Sequence, residues 1–490
     1  MLAPWVMEEM KDVNLQDKRL NDRLSEVLAQ LGGHPTASIP AACGGHAEMT
    51  AAYRLFANEK VRFDNVLAPH IEATRRRMRE QSVVILAQDT TEIDLTRPEQ
   101  AVAGAGPLDN GARRGAFLHP LVGFTPDGTP LGTVHATVWT RQEEPAPPKE
   151  ERETKRKHTP IEEKESQRWI DTLRHANEEA RCAPDTCFVC VADSEADIYE
   201  LLVEAQAECN DTQWIVRACQ NRALRSDNRT NRSEPDDGAS LLREQVLKSN
   251  VLFTQTLKVR GRKSKVSCET RGRKQPRQSR TAEVEVRAAR VALRPPWRHD
   301  RKLPEVALNV VLVREIDPPA DDTPVEWILL TSLPIDTAEQ VRAVIQYYCV
   351  RWMIEVLFRT LKTGCRVEDR LFEHMDRFLP CLAVYLIVTW RTLYVCRLGR
   401  EFPHINCEAV FEPAEWKSVY NIVRREPPPA EPPTLSEMVR MVAQLGGYVN
   451  RPRDDQPGPQ TVWLGLQRTH DIALCWQTFG PEARNEPLLV

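Results

Sequence analysis

Apolar and polar positions change period three times along the chain. Leu20, Leu24, Val27, Leu28 and Leu31 recur at helical spacing, and Gly32-Gly33-His34-Pro35 closes that helix. A second helix is predicted over Ala47–Phe56 and a third from about Asp64, a candidate N-cap. Then the texture turns to strand. Val83-Val84-Ile85-Leu86-Ala87-Gln88-Asp89 is a short apolar run that reads as a buried strand ending in a carboxylate. Ala116–Phe124 and Leu131–Trp139 form a predicted hairpin around the turn residues Pro126-Asp127-Gly128. An exposed loop rich in proline and charge, Arg141–Lys164, leads to a helix at Ser166–Glu179. The strand Cys187–Asp193 again closes on Asp, followed by a helix over Glu195–Ala207 and a strand at Gln213–Arg217. β-rich sequence follows, with Ala282–Leu293, Val306–Val313 and Val325–Leu330. Helical patterning returns toward the C-terminus, broken by Pro427-Pro428-Pro429 and Pro432-Pro433.

The order strand, hairpin, helix, strand, helix, strand is that of a ribonuclease-H-like α/β core. The expected organisation is a helical domain over 1–78, a catalytic domain over 79–375 with a β-rich insertion at about 220–320, and a helical domain over 376–490. Asp89 and Asp193 stand at strand ends, where such sheets place their chemistry, but fold order alone gives no function.

Composition narrows this little. The 490 residues are 41% apolar and 28% charged, which excludes wholesale disorder and a fibrous repeat. The longest apolar run, Phe378–Trp390, contains Pro380 and is shorter than the ~18 to 20 residues of a membrane span, so it is expected as a buried helix. No basic stretch followed by an apolar one marks the N-terminus for export. Thirteen cysteines fit reduced core thiols, and Cys182, Cys187 and Cys190 lack the second pair that zinc requires. A net charge of -4 does not announce a nucleic-acid binder, but the distribution is uneven. Arg260–Arg280 holds nine basic residues and one acid, and Arg75, Arg76, Arg77 and Arg79 form a second cluster. Solvated faces alone account for such clusters.

The most informative segment is a predicted helix over Thr337–Thr363. With Tyr348 at 0°, Arg351 falls near about -60°, Glu355 near about -20° and Lys362 near about -40°, one narrow stripe. Val350, Met353, Ile354, Leu357 and Leu361 take the opposite, buried face. Periodicity by itself also describes a surface helix in which Glu355 and Arg359 make an i,i+4 pair.

The spacing Tyr348-x2-Arg351-x3-Glu355-x6-Lys362 resembles the YREK signature of bacterial DDE transposases of the insertion-sequence-four group, which includes the transposon-five transposase. The likeness extends over nearly the whole chain. Ala52-Tyr53-Arg54-Leu55-Phe56 with Asn58 resembles that group's DNA-binding region, and Asp89-Thr90-Thr91 its first catalytic motif. Asp193-x-Glu195-Ala196-Asp197-Ile198 resembles the second motif, and Trp327-Ile328-Leu329-Leu330-Thr331 the strand before the catalytic helix. Leu445-Gly446-Gly447-Tyr448 and Trp463-x-Gly465 are similar to its C-terminal region.

The resemblance implies that Asp89, Asp193 and Glu355 bind Mg²⁺, for which Mn²⁺ substitutes, as hard oxygen ligands at a phosphoryl-transfer site. It implies DNA contacts by Tyr348, Arg351, Lys362, Arg217, Arg359 and Arg54, and a flipped base stacked on Trp327. Asp197, Glu195, Glu92 and Asp94 lie close in sequence to the triad, Asp197 being expected to support a helix N-terminus. Ser194 and Cys219 stand where the group carries basic residues. The implied reaction is cut-and-paste transposition: strand hydrolysis at a transposon end, a hairpin intermediate, and joining of 3'-hydroxyls to target DNA. Double-stranded DNA and a homodimer held through the C-terminal helices are the implied partners, in the bacterial cytoplasm at the nucleoid. A nuclease that cuts without joining, and a DNA-binding regulator without catalysis, are the competing readings.

Overall fold

The computed structural model describes residues 2–481 except 98–99, 109–111, 144–157, 208–209, 226–239, 260–278, 300, 321, 323, 452–453 and 455. Most of the basic run Arg260–Arg280, and most of the charged loop Arg141–Lys164, thus lies outside the described residues. The chain divides into two compact units. One is Met1–Pro145 with Trp352–Val490, and the other is Ala146–Arg351.

In the first unit five strands gather on one of them. β1 (Val83–Gln88), β2 (Thr91–Asp94) and β3 (Gly106–Pro107) all pair antiparallel with β4 (Arg114–Phe124), as does β5 (Pro130–Trp139). The β4–β5 turn closes as the sequence predicts. Gly128 N–H donates to Thr125 O at 2.9 Å, and Gly128 takes φ of +89°, a conformation glycine adopts without a Cβ clash.

Helices cover this sheet. The sequence predicts three N-terminal helices, and the structure adds two short ones, Pro4–Glu9 and Ile39–Ala42, each begun by a proline at its first or second position. Such one-turn elements are too short to show a period. The long helices Lys18–Gly33, His46–Phe56 and Phe63–Arg79 match the spacing of their apolar residues. The apolar run Phe378–Trp390 belongs to a longer helix, Met375–Glu401, which does reach membrane-spanning length; 83% of its most apolar window is buried inside the fold. It packs on Phe63–Arg79 and β5, where Trp390 Nε1–H donates to Pro130 O at 3.0 Å.

A buried polar cluster joins the N-terminal helix to this core. Glu9 and His70 are 1% and 0% exposed, and His70 Nδ1 lies 2.5 Å from Glu9 Oε2. Thr133 N–H donates to His70 Nε2 at 3.1 Å, so that nitrogen carries no proton and the ring is neutral. Arg77 completes the set, 2.5 Å from Glu9 Oε1 and 4.1 Å above the Trp390 ring. Burial holds the His70 pKa below its ordinary value. Burial raises that of Glu9, but His70 and Arg77 overcome it and the net direction is down.

In the second unit β6 (Cys187–Ala192) and β7 (Gln213–Arg217) run parallel. The sheet continues antiparallel through β11 (Glu326–Thr331), β10 (Val306–Glu315), β9 (Arg280–Leu293) and β8 (Val251–Val259). Residues 188–192 of β6 are all buried, which is why they read as a continuous apolar run rather than an alternating one. The helix predicted over Glu195–Ala207 is interrupted. Asp193 Oδ1 accepts the Glu195 N–H at 2.8 Å and shapes a single 3₁₀ turn, Ser194–Ala196, and the α-helix starts only at Tyr199 and ends at Glu204.

The Glu9→Ala variant is expected to lose about 3–5 kcal/mol of stability, because buried His70 and half-buried Arg77 are left without their carboxylate. Urea denaturation of wild type and variant measures it. Wild-type stability should also fall as pH drops below 6.5, where unfolded His70 binds a proton that folded His70 resists. A second loss, from Glu9, begins below 4.5 and continues through its lower folded value. A melting temperature flat from pH 7 to pH 5 would contradict the His70 assignment, and one flat from pH 5 to pH 3 that of Glu9.

Candidate active site

Asp89 owes its position to a defect in a β-ladder. β1 and β2 pair with β4 in one unbroken register, Gln88 opposite Leu121 and Thr91 opposite Leu118. Counting between these pairs sets Asp89 against Pro120 and Thr90 against His119. Proline has no N–H for the Asp89 carbonyl, so the ladder lapses at these two residues and resumes after them. The half-buried Asp89 accepts the Thr90 N–H on Oδ1 at 2.7 Å. Thr90 Oγ1 lies 2.9 Å from His119 Nδ1, and His119 Nε2 lies 3.2 Å from Gln88 Oε1. His119 is wholly buried.

Glu355 is in the same unit, on the helix Trp352–Arg359, which packs against β1. The predicted single helix Thr337–Thr363 is not one element. Ala338–Val350 ends at Arg351, whose N–H bonds to Tyr348 O, a tighter i→i−3 link. After Arg359 the chain widens into a π-helical turn, Thr360–Gly364, where Cys365 N–H reaches back to Thr360 O at 2.7 Å. Angular arithmetic at 100° per residue therefore fails past both points, and Lys362 does not continue the stripe of a uniform helix. Glu355 and Lys362 are half-buried, and Arg359 is exposed. Lys362 Nζ lies 3.6 Å from Glu368 Oε1, which also accepts the Asp94 N–H at 2.9 Å.

Tyr348 corrects the expectation of a solvent-lined stripe. It is only 6% exposed, edge-on to Trp327 with ring centroids 5.5 Å apart. Burial raises its hydroxyl pKa, while the charges of Arg351 and Arg217 oppose this and that of Asp193 adds to it. Arg217 hydrogen-bonds the tyrosine side chain and also donates to Glu326 O at 3.3 Å. The second unit thus gathers Asp193, Arg217, Trp327, Tyr348 and Arg351 around one aromatic pair. Arg54 lies apart from these residues in sequence, exposed near the end of His46–Phe56.

The neighbouring acids have other tasks. Glu92 and Asp94 both pair with Arg113, at 2.6 and 3.4 Å. Glu195 is exposed and 3.3 Å from Arg168. Asp197, expected to support a helix N-terminus, is instead the anchor of the loop after β7. Its buried carboxylate accepts the N–H groups of Cys219 and Gln220, both at 2.9 Å, and pairs with Arg222 at 2.5 Å. That loop follows Arg217 directly, and nothing in the local pattern of either segment foretells the partnership.

The donor set Asp89, Asp193 and Glu355 is carboxylate oxygen throughout, the chemistry that hard divalent cations prefer. Asp89 and Glu355 belong to the first unit and Asp193 to the second. Among the described residues no three His, Cys, Asp or Glu side chains are grouped in a way that holds a metal ion.

Three family models match the chain. A transposase DNA-binding model matches residues 2–61, a transposase DDE domain 157–379, and a Tn5 transposase dimerisation domain 387–476. The DDE match includes Asp193 and Glu355 and starts after Asp89, and the DNA-binding match includes Arg54. Over these three segments the chain is similar to DDE transposases. Of the two flanking matches, the C-terminal one is to a dimerisation domain of the Tn5 type. Among solved structures, a piggyBac transposase synaptic complex with hairpin DNA is similar at 11% identity and a TM-score of 0.30. That alignment covers 68% of this chain and 51% of the other, so this chain spans about half the length of that transposase, and a likeness this loose carries no argument.

Replacing Asp197 by Ala strands Arg222 and two backbone donors, and should destabilise the second unit by about 3–5 kcal/mol. Chemical denaturation followed by Trp214 fluorescence reads this, and a shift under 1 kcal/mol would show the anchor to be dispensable.

Proposed function

We propose that this transposase acts by cut-and-paste at the ends of a mobile element and belongs to the insertion-sequence-four group. Asp89, Asp193 and Glu355 are its metal-binding and catalytic residues. The observation that carries this reading is the order of three matched domains, DNA-binding, DDE and dimerisation, with Asp193 and Glu355 inside the middle one. Support for Asp89 comes from its place at a lapse in the ladder beside the helix that bears Glu355. The three carboxylates would hold Mg²⁺ or Mn²⁺, which supplies Lewis acidity to the attacking and leaving oxygens of a phosphodiester.

The other residues bind and orient. Arg351, Lys362, Arg359 and Arg217 neutralise phosphates near the cleaved end, and Arg54 meets the transposon end at a distance from the chemistry. Trp327, already edge-on to Tyr348, offers its face to a flipped base. Tyr348 holds Arg217 by a hydrogen bond and so sets the height of that guanidinium beside the base platform. A hairpin intermediate and joining of 3'-hydroxyls to target DNA complete the sequence. Two copies held through the C-terminal domain bring two ends together, in the bacterial cytoplasm at the nucleoid.

Substituting Asp193→Ala is expected to abolish end cleavage and strand transfer while end binding stays within about twofold, as for a group that acts on the reaction alone. Gel assays of binding, nicking and joining separate the three steps. Cleavage that persists in the variant overturns the catalytic assignment, and wild-type cleavage without joining points to a plain nuclease. Lys362→Ala should lower the salt slope of DNA binding by about one unit.

A further inference from the structure

We infer that His119 is a positioning residue for the metal site, setting the Asp89 carboxylate through Thr90. The inference rests on the reading of Asp89 as a metal ligand and goes beyond it to the residue behind that ligand. Pro120 leaves the ladder without one of its normal links at Asp89. A side-chain relay spans this gap. Gln88 Oε1 is an acceptor only, so His119 Nε2 carries the ring proton and donates across 3.2 Å. Nδ1 is then an acceptor and takes the Thr90 hydroxyl proton across 2.9 Å. The threonine so held directs its own N–H at Asp89 Oδ1, 2.7 Å away. One carboxylate oxygen is thereby oriented, and in this proposal Oδ2 is the ligating atom.

His119 suits this task because a fully buried aromatic ring does not change rotamer cheaply, and its two nitrogens tie residues on both sides of Asp89. Shells of this kind behind metal ligands typically change metal affinity about 10- to 100-fold when broken.

The test uses the full-length protein bound to a DNA end, with Mn²⁺ occupancy read by electron paramagnetic resonance and cleavage measured alongside. Thr90→Val keeps shape and removes the hydroxyl. It is expected to raise the half-saturating Mn²⁺ concentration about tenfold, with cleavage recovering when Mn²⁺ is saturating. His119→Leu should do the same, whereas His119→Asn, which keeps an acceptor near the Nδ1 position, should restore most of the affinity. Lowered melting temperatures with unchanged Mn²⁺ midpoints would show that His119 and Thr90 only pack, and would overturn the inference. Thr90→Val decides alone if the histidine variants do not fold. An unchanged midpoint in Asp89→Asn overturns the underlying ligand assignment, a failure distinct from that of the relay.

Discussion

A proline cannot donate to a β-ladder, and at the first proposed catalytic strand this constraint decides the local structure. Pro120 sits in the middle of β4, bonded to neighbours on both sides, where a proline ordinarily argues against a central strand. The strand survives because the register resumes at Thr91 without a slip. The result is a short gap that costs one backbone link and frees one residue to present a carboxylate at the strand's end instead of burying it in a pleat. Gln88, on the inner side of the gap, stays 1% exposed, while Asp89 and Thr90 are half-buried.

Most strands were legible because apolar runs, turn residues and β-branched side chains mark them directly. Gln213–Arg217 lies where its apolar run predicts, and the β4–β5 hairpin differs by one or two residues at its ends. What could not be read depends on partners far off in sequence. Asp197 looked like a local helix cap, and its ligands turned out to be backbone groups more than twenty residues on. Tyr348 looked like one member of a polar stripe, yet the ring of Trp327 and the side chain of Arg217 draw it inward. The helix carrying Glu355 looked continuous, since Thr337–Thr363 contains no proline or glycine. Its tight link at Arg351 and its wide turn at Thr360–Gly364 are hydrogen-bond choices that no residue type announces. A histidine before a proline inside an apolar strand was the one visible sign of the relay, because neither belongs in a plain ladder.

Two buried carboxylates show the same economy at different places. Glu9 with His70 and Arg77, and Asp197 with Arg222, each join elements that hydrophobic contact alone would let slide. Apolar packing is non-directional, whereas a carboxylate with its lone pairs filled accepts only one arrangement of its donors. In the second unit that arrangement fixes the chain just after Arg217, and in the first it fixes the N-terminal helix against β5.

The helix Met375–Glu401 has one more consequence, for how the chain is made. By length and composition alone, it would pass for a membrane span before its partners cover it. Its packing partners, the helix Phe63–Arg79 and β5, both precede it in the chain by more than 230 residues. The segments that cover this helix are therefore already synthesised when it emerges.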